Sequence, residues 1–239
     1  GIYKNIQTAL NAAREGDTVL VQPGHYYENI IWPDIHRIKL LSAGTKENTF
    51  IDGKGIDRVI QFKGRFGSFD LDSTALIQGF TILNGRLNAP GAYAFGAGIY
   101  IESASPLLKN LTIRNNLCAG EWSFGAGIYL KESNSSIEYV EVIENVIQST
   151  IWSYGAGIYI DNSSSHVIIK NSLISKNKME SGATYYYGGG ICIDGDSHVK
   201  LINSVVSLNE FVGTSGFWYY GAGVSCRNHC PPCLASQLR

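Results

Sequence analysis

The sequence contains few charged residues and no cluster of basic ones. Asp, Glu, Lys and Arg make up 16% of the 239 residues, and the formal net charge is −1, whereas typical soluble domains contain about 25% charged residues. A nucleic-acid surface needs clustered Lys and Arg, so we expect no nucleic-acid partner. No segment approaches the ~20 consecutive apolar residues of a transmembrane helix, so we expect no membrane partner. Because the chain begins at Gly1 without Met or a signal peptide, we interpret it as a mature form or an excised domain.

Cysteines are few, and their number is odd. The five are Cys118, Cys192, Cys226, Cys230 and Cys233. The last three form a CxxxCxxC motif, and His229 could complete the four ligands of a zinc site. No second cysteine pair exists elsewhere in the chain. We therefore favour an irregular C-terminal tail over residues 226–239 and predict no bound metal there.

What the sequence has is an internal repeat. The units read FGAGIYIE (95–102), FGAGIYLK (124–131), YGAGIYID (154–161), YGGGICID (187–194) and YGAGVSCR (220–227). Their first glycines, at 96, 125, 155, 188 and 221, are spaced by 29, 30, 33 and 33 residues. Short β-branched runs separated by Asn, Ser and Gly indicate strands and turns. Such a unit cannot bury its apolar face alone, but stacked copies can.

The repeat therefore predicts an all-β protein, a right-handed parallel β-helix of stacked coils. Alternating Ile and Leu residues such as Ile99 and Ile101 should point inward, and Asn116, Asn145, Asn177 and Asn209 should form a turn ladder, since Asn tolerates left-handed backbone. A leucine-rich repeat is the rival, but it needs units of 20–29 residues rich in Leu. We expect one domain over 1–239: an N-terminal cap with a short helix (1–16), coils (17–225) and the tail (226–239).

The period of two along each GAGIYI strand predicts which residues point outward. Three outward columns result: the glycines 98, 127, 157, 190 and 223; Tyr100, Tyr129, Tyr159, Cys192 and Ser225; and Glu102, Lys131, Asp161, Asp194 and Arg227. A further aromatic column precedes the glycines and contains Tyr93, Trp122, Trp152, Tyr185 and Trp218. Glycines would form a floor without side chains, and aromatics would form a wall suited to sugar rings. The alternative is that the rings stack on each other and the glycines only permit turns.

Aligned acids make this face a candidate catalytic site. Asp161 and Asp194 occupy one column on successive coils, so their backbones should lie ~4.8 Å apart, near the ~5–5.5 Å carboxyl separation of retaining glycosidases. Asp196 or Glu102 could assist. His166 and His198 also align, and could bind substrate or transfer protons. The acids could equally bind Ca²⁺, which takes six to eight oxygen ligands. Solvated turn residues are the alternative for all of them.

The chain resembles the pectate-lyase-like superfamily of right-handed parallel β-helices. The resemblance rests on IQTALNAAREGDTVLVQPGHYYENI (6–30), FIDGKG (50–55), IQGFTILNG (77–85) and the GAGIYI units, and is strongest to secreted proteins known by such repeats. It implies a secreted or cell-surface location and a polysaccharide partner. The superfamily includes lyases, hydrolases, esterases and adhesins, so fold alone does not select an activity. The NTD, DD, GHG and RIK motifs of polygalacturonases are absent, as are the Arg-centred motifs of classical pectate lyases.

These observations lead to an expected function with open alternatives. We expect an extracellular polysaccharide-active monomer without a required cofactor. The first hypothesis is a glycoside hydrolase that uses Asp161 and Asp194 beside an aromatic wall. The second is a non-catalytic glycan-binding or adhesion module, because ladders arise in any repeat. A structural spacer is a third. A lyase ranks lower, because Lys131 and Arg227 flank the acids one or two coils away.

Overall fold

The computed structural model describes residues 1–64, 74–161, 165–180, 182–213 and 218–227. Within these ranges the chain forms one helix, α1 (Ile6–Ala12), and many short strands. The strands are β1 (Thr18–Val21), β2 (Gly24–Tyr26), β3 (Ile30–Ile31), β4 (Lys39–Ser42), β5 (Thr49–Asp52), β6 (Ile60–Lys63), β7 (Leu76–Gln78), β8 (Thr81–Leu83), β9 (Arg86–Phe95), β10 (Ile99–Glu102), β11 (Leu107–Lys109), β12 (Thr112–Arg114), β13 (Leu117–Phe124), β14 (Ile128–Lys131), β15 (Ser136–Glu138), β16 (Glu141–Ile143), β17 (Val146–Tyr154), β18 (Ile158–Ile160), β19 (His166–Lys170), β20 (Leu173–Ser175), β21 (Lys178–Glu180), β22 (Tyr185–Tyr187), β23 (Ile191–Asp194), β24 (His198–Ile202), β25 (Val205–Ser207), β26 (Glu210–Val212), β27 (Trp218–Tyr220) and β28 (Val224–Arg227).

The strands stack into four parallel sheets, of which three begin in the first coil and the fourth begins at β9. Sheet A has the order β1-β4-β7-β11-β15-β19-β24, sheet B β2-β5-β8-β12-β16-β20-β25, and sheet C β3-β6-β10-β14-β18-β23-β28. Sheet D joins β9, β13, β17, β21 and β26, with β22 and β27 continuing it beyond β17. Each coil visits A, B and C in turn, and from β9 onward D is inserted between B and C. This confirms the predicted parallel β-helix.

Two apolar clusters fill the coils. The larger lies between sheets A, B and C and includes the predicted inward residues, with Ile99, Ile101 and Ile128 fully buried. The period of two therefore holds where one strand face meets the interior. A second cluster lies against the inner face of sheet D and contains Cys118, Ile147, Met179 and Tyr186. Sheet D is thus a buried extension of each coil rather than a loose loop.

The predicted N-terminal helix is confirmed and closes one end of the stack. Helix α1 buries Ile6 and Leu10 in the main core. Its first turn is capped by Asn5, whose side chain accepts a hydrogen bond from the Thr8 amide. The Glu28 carboxylate accepts two more, each 2.8 Å long, from the Ile6 and Gln7 amides. These bonds satisfy amides that a helix start leaves without partners.

The predicted asparagine ladder is present, but it is buried rather than a left-handed turn. Asn116, Asn145 and Asn177 are fully buried, and each amide nitrogen donates to the next Asn Oδ1 at 2.9–3.0 Å. The left-handed residues come one position earlier, at Asn115, Glu144, Lys176 and Leu208. The preceding residue therefore makes the turn, which leaves the Asn side chain to bond along the stack.

The predicted outward glycine floor is wrong. A Cβ added to Gly127 would lie 2.5 Å from the Gly157 carbonyl oxygen, 2.8 Å from Val142 Cγ1 and 2.9 Å from Asn145 Nδ2. The column therefore faces the core and the asparagine ladder. Strand alternation begins only at the following residue (β14 starts at Ile128), so extrapolating it back to the glycine reversed the direction.

The C-terminal boundary of the coils lies slightly beyond the predicted residue 225. Strand β28 continues to Arg227 and pairs with β23. Residues 228–239, including the proposed tail with His229, Cys230 and Cys233, lie outside the described residues. The ranges that are described contain no helix long and apolar enough to span a bilayer.

Candidate functional site

The candidate site is built around a corner between sheets D and C. The first glycine of each repeat has positive φ, from 56° to 62°, a conformation that glycine adopts without strain. The chain bends there from sheet D into sheet C, so the outer faces of the two sheets meet. Phe124 at the end of β13 contacts the ring of Tyr159 on β18, with centroids 5.0 Å apart.

Two aromatic ladders pack into this corner. Sheet D contributes Phe95, Phe124, Tyr154 and Tyr187, and sheet C contributes Tyr100, Tyr129 and Tyr159. We call these seven residues the corner cluster. Rings on neighbouring coils stack at 4.7–5.6 Å, for example Phe124 on Tyr154 and Tyr129 on Tyr159. The sheet D ladder consists of the first residue of each repeat unit, a position for which no role was predicted from the sequence.

Burial in the corner cluster changes the interpretation of the outward tyrosines. Tyr129 and Tyr159 are each only 3% exposed, and Tyr100 is partly exposed. The rings of Tyr129 and Tyr159 are therefore covered, not available for stacking on a sugar as expected. The physical reason is sheet D, whose aromatic side chains fold over the outer face of sheet C.

The tyrosine hydroxyls donate to the acidic column. Tyr100 donates to Glu102 at 2.7 Å, Tyr129 to Asp161 at 2.7 Å, and Tyr159 to Asp194 at 2.9 Å. Burial, together with the adjacent carboxylates, raises the pKa of Tyr129 and Tyr159 well above its usual value. The hydroxyls are therefore protonated donors that hold the acids in place.

The acids belong to a charge ladder along the end of sheet C. Its members, in coil order, are Lys63, Glu102, Lys131, Asp161, Asp194 and Arg227. Lys131 Nζ lies 3.2 Å from Glu102 Oε1, and Arg227 Nη1 lies 3.5 Å from Asp194 Oδ2. The signs alternate except at Asp161 and Asp194, which follow the paired residues Ile160 and Ile193 directly. Their backbones are thus adjacent, about 4.8 Å apart by strand spacing.

The ladder shifts the pKa of its members in the direction expected for ion pairs. Burial alone would raise the pKa of Glu102, but hydrogen bonds from Tyr100 and Lys131 outweigh it and lower that pKa. Burial would likewise lower the pKa of Lys131, and the Glu102 carboxylate raises it instead. Both groups are therefore charged at neutral pH.

Of the two predicted assisting acids, Glu102 lies away from the aspartate pair, whereas Asp196 is in a turn beside it, where Ser197 Oγ donates to the Asp161 carbonyl oxygen at 2.6 Å. Glu102 and Asp161 are separated by the coil that bears Lys131, so their backbones are about 10 Å apart. Asp196 is exposed in the turn that follows β23, where Gly195 has positive φ. The structure therefore brings together Asp161 and Asp194, with Tyr129, Tyr159 and Arg227 as their polar neighbours.

The aromatic column of Tyr93, Trp122, Trp152, Tyr185 and Trp218 borders the corner cluster on sheet D. These residues are in register on successive coils. Tyr93 and Trp218 at its two ends are 54% and 53% exposed, and the other three are partly exposed. Tyr93 stacks on Trp122 at 4.4 Å and Trp152 contacts Tyr185 at 4.6 Å. Among the described residues, no ring contact joins Trp122 to Trp152 or Tyr185 to Trp218, so ring stacking along the column is interrupted at both steps.

Two arginines close the ends of the corner cluster. The Arg58 guanidinium lies 4.6 Å from the Tyr100 ring centroid, at the N-terminal end. Arg227 lies 4.7 Å from Tyr154 and 4.6 Å from Tyr187 at the other end, and 5.6 Å from Trp152 in the aromatic column. Arg227 therefore links the charge ladder to both sets of rings through an ion pair and cation–π contacts.

The predicted histidine pair forms, but on sheet A. His166 and His198 are paired in register, and their exposed rings stack at 4.9 Å with an angle of 3°. They lie outside the D–C corner and do not contact the aromatic column. Across the described part of the chain, no three His, Cys, Asp or Glu side chains converge as a metal site would require.

A separate polar cluster on sheet B, centred on Asp52, was not predicted from the sequence. His25 Nε2 lies 2.8 Å from Asp52 Oδ2, and Asp52 also accepts bonds from the Lys54 amide and Asn84 Nδ2. Burial would raise the pKa of Asp52, but these hydrogen bonds lower it. The aligned positions lie in irregular early coils without the GAGIYI motif, which is why no repeat signal marked them.

Comparison with known proteins agrees with this architecture. The family model for the right-handed beta helix region matches residues 46–230. The chain belongs to the right-handed β-helix family. No curated protein matches the sequence. Similar solved structures include the pectin methylesterase from Yersinia enterocolitica, at 10% identity and a TM-score of 0.47 over 95% of both chains. The pectin methylesterase from carrot has 12% identity and a TM-score of 0.36, over 95% of this chain and 85% of that one. At these values neither similarity bears on activity.

Proposed function

We propose that this β-helix protein binds an extended polysaccharide along the aromatic column of sheet D. The observation behind the proposal is that five aromatic residues lie in register on successive coils and each is at least partly exposed, whereas Tyr129, Tyr154 and Tyr159 in the neighbouring corner cluster are buried. An exposed patch of apolar side chains is typical of a binding surface. Rings with polar groups at their edges suit the apolar faces and hydroxyls of sugars.

Ring stacking along the column is interrupted at two steps, from Trp122 to Trp152 and from Tyr185 to Trp218, and we propose that a sugar makes most contact at the first. Trp122 stacks on Tyr93 and Trp152 contacts Tyr185, and both tryptophans are partly exposed. The charge ladder runs parallel to the column, and its carboxylates Glu102, Asp161 and Asp194 are partly exposed. The polymer would therefore lie along the coil axis, with its firmest contacts between Trp122 and Trp152.

Binding to a panel of soluble polysaccharides, measured by affinity electrophoresis and calorimetry, tests the proposal. We expect Trp122→Ala and Trp152→Ala each to weaken binding by ~10-fold or more, the usual effect of losing a stacked aromatic anchor. Tyr93→Ala and Tyr139→Ala form a matched pair, because the two tyrosines are 54% and 51% exposed but only Tyr93 belongs to the column. Equal effects of Tyr93→Ala and Tyr139→Ala, or full binding by both tryptophan variants, would reject the proposal.

A second candidate function is hydrolysis of the bound glycan by Asp161 and Asp194. The specific observation in its favour is the one like-charged step in the described charge ladder, at a backbone spacing close to that of retaining glycosidase carboxyls. We propose that one carboxyl protonates the glycosidic oxygen of the departing sugar while the other attacks the anomeric carbon, and that water, deprotonated by the first carboxylate, then hydrolyses the resulting glycosyl ester. Reducing-sugar release should then fall ~100- to 10,000-fold in Asp161→Asn and Asp194→Asn. Retention of the parent rate by both variants would exclude these residues from catalysis.

The expected secreted or cell-surface location also remains a proposal. Polysaccharides of the extended kind that would fit this column are found in walls and matrices outside cells. Fractionation of the producing organism, with detection of the chain by antibody, would test it. Recovery of the protein only from the interior of the cell would contradict it.

A further inference from the structure

Two of the three cations of the charge ladder have carboxylate partners within the protein. Lys131 bonds to Glu102 at 3.2 Å and Arg227 lies 3.5 Å from Asp194. Lys63 is paired in register with Glu102 and helps to lower the pKa of that acid. The charge ladder therefore has three cations and three anions and no net charge.

The remaining cation at this corner is engaged differently. Arg58 donates to Gln61 Oε1 at 2.9 Å and to the Phe95 carbonyl at 3.3 Å, and its guanidinium covers the Tyr100 ring. Arg58 thus covers the N-terminal end of the corner cluster, and we do not assign it to ligand binding on the aromatic column.

Charge balance has a direct consequence for ligand choice. A ligand carboxylate that moves from water onto the protein needs a protein cation that is not already paired, since burial of an unpaired charge is unfavourable. Midway along the ladder, moreover, Asp161 and Asp194 stand on adjacent coils, and like charges brought together across an interface discriminate against a partner. An uncharged sugar avoids both costs and still gains stacking and hydrogen bonds.

We infer that the polymer bound on the aromatic column is an uncharged polysaccharide and that uronate-rich polymers are rejected. This inference rests on the proposed function, because it names the ligand class of the same site. It also predicts that a substitution can remove the rejection. When one carboxylate of the ladder is lost, its cation becomes unpaired and can bind the carboxylate of a uronate.

Asp194→Asn and Glu102→Gln test this inference at two separate points of the ladder. Asp194→Asn leaves Arg227 without its carboxylate partner and keeps a side-chain oxygen that can accept the hydrogen bond from the Tyr159 hydroxyl. Glu102→Gln leaves Lys131 without its carboxylate partner. Glu210→Gln is the matched control. It frees Lys178, which lies 2.9 Å from Glu210 in strands β21 and β26 of sheet D, and it changes the net charge equally. Far-ultraviolet circular dichroism and thermal melting verify that each variant is folded.

The measurement is calorimetric affinity for an uncharged glucan and for a polygalacturonate of similar length, at low and at physiological ionic strength. We expect the parent protein to bind the glucan ~10-fold or more tightly than the uronate. Asp194→Asn and Glu102→Gln should each gain ~10-fold in uronate affinity relative to Glu210→Gln, and salt should reduce the gain.

The possible outcomes separate this inference from the proposed function. Parent protein that binds the uronate polymer as tightly as the glucan overturns the inference and leaves the proposed function intact. A gain no larger in the two ladder variants than in Glu210→Gln also overturns it. Failure of the parent protein to bind either polymer overturns the proposed function itself, and the inference with it.

Discussion

Truncation of Asn145 should destabilise the protein more than any exposed asparagine does. Asn145 is fully buried in the middle of the asparagine ladder. Its Oδ1 accepts bonds from the backbone and side chain of Asn116, and its Nδ2 donates to the Ile113 carbonyl and to Asn177 Oδ1. Asn145→Ala removes all of these bonds and leaves buried polar groups without that partner.

The magnitude follows from the number and burial of the lost bonds. Each buried hydrogen bond contributes about 1 kcal/mol net, and an unsatisfied buried group costs about 1–3 kcal/mol. The four bonds therefore predict a loss of about 3–5 kcal/mol in the free energy of unfolding, a large part of the ~5–15 kcal/mol typical of a domain. Asn209 lies at the end of the ladder and is 8% exposed. Asn209→Ala should therefore lower the free energy of unfolding by roughly half as much, because water can replace part of its hydrogen bonding.

Urea unfolding followed by both circular dichroism and tryptophan fluorescence measures this loss. Coincident transitions are required, because a stacked repeat can unfold in parts. Asn88→Ala is the control, since Asn88 is exposed on β9 and surface substitutions usually change stability by no more than about 0.5 kcal/mol. The reasoning fails if Asn145→Ala costs less than about 1 kcal/mol, or no more than Asn88→Ala. Hydrogen exchange at the Asn116 amide should also accelerate.

Three further predictions concern stability and reactivity. Gly127→Ala should destabilise the protein by several kcal/mol, because the new methyl group would clash with a backbone oxygen and with the asparagine ladder. Gly91→Ala, at a residue with positive φ but nothing within 4 Å of the added Cβ, should cost only ~1–2 kcal/mol of backbone strain. Thermal melting of the two variants distinguishes these cases. Because the folded pKa of Asp52 is lowered from 3.8, its stabilising contribution is present above that value and is lost as pH falls below it. The deficit of Asp52→Asn relative to the parent should thus shrink as urea midpoints are measured at falling pH. Burial raises the pKa of the Cys118 thiol to about 12, so it should resist alkylation in the native state and react after unfolding, as mass spectrometry would show.

The candidate site was predicted in part, and the successes have a common cause. The register of His166 with His198 and the adjacency of Asp161 and Asp194 followed from repeat spacing alone. In a stack of coils, equal spacing places matched residues on neighbouring strands, so a linear pattern determines a spatial one. The inward Ile positions followed from the same pattern combined with strand alternation.

The incorrect predictions concern which side chains lie exposed on the outer face of the coils. Tyr129 and Tyr159 were expected to bind sugar, but Phe124 and Tyr154 from sheet D cover them. The angle at which sheet D meets sheet C depends on the left-handed glycine turns and on the second apolar cluster. Neither can be derived from the spacing of the repeats. The prediction that the glycine column points outward was wrong for a related reason, because the alternation of side chains applies only within the strand.

The sequence by itself determined that this protein is a stack of parallel coils with a capped N-terminal end, and which residues share a column. Those properties depend on periodicity and apolar alternation, which are local and repeat along the chain. Only the tertiary structure decided which columns are accessible, that Lys63 from an irregular coil joins the charge ladder, and that Arg227 covers the rings of Tyr154 and Tyr187. Such contacts unite residues that are distant in the chain, and their geometry is set by packing between sheets.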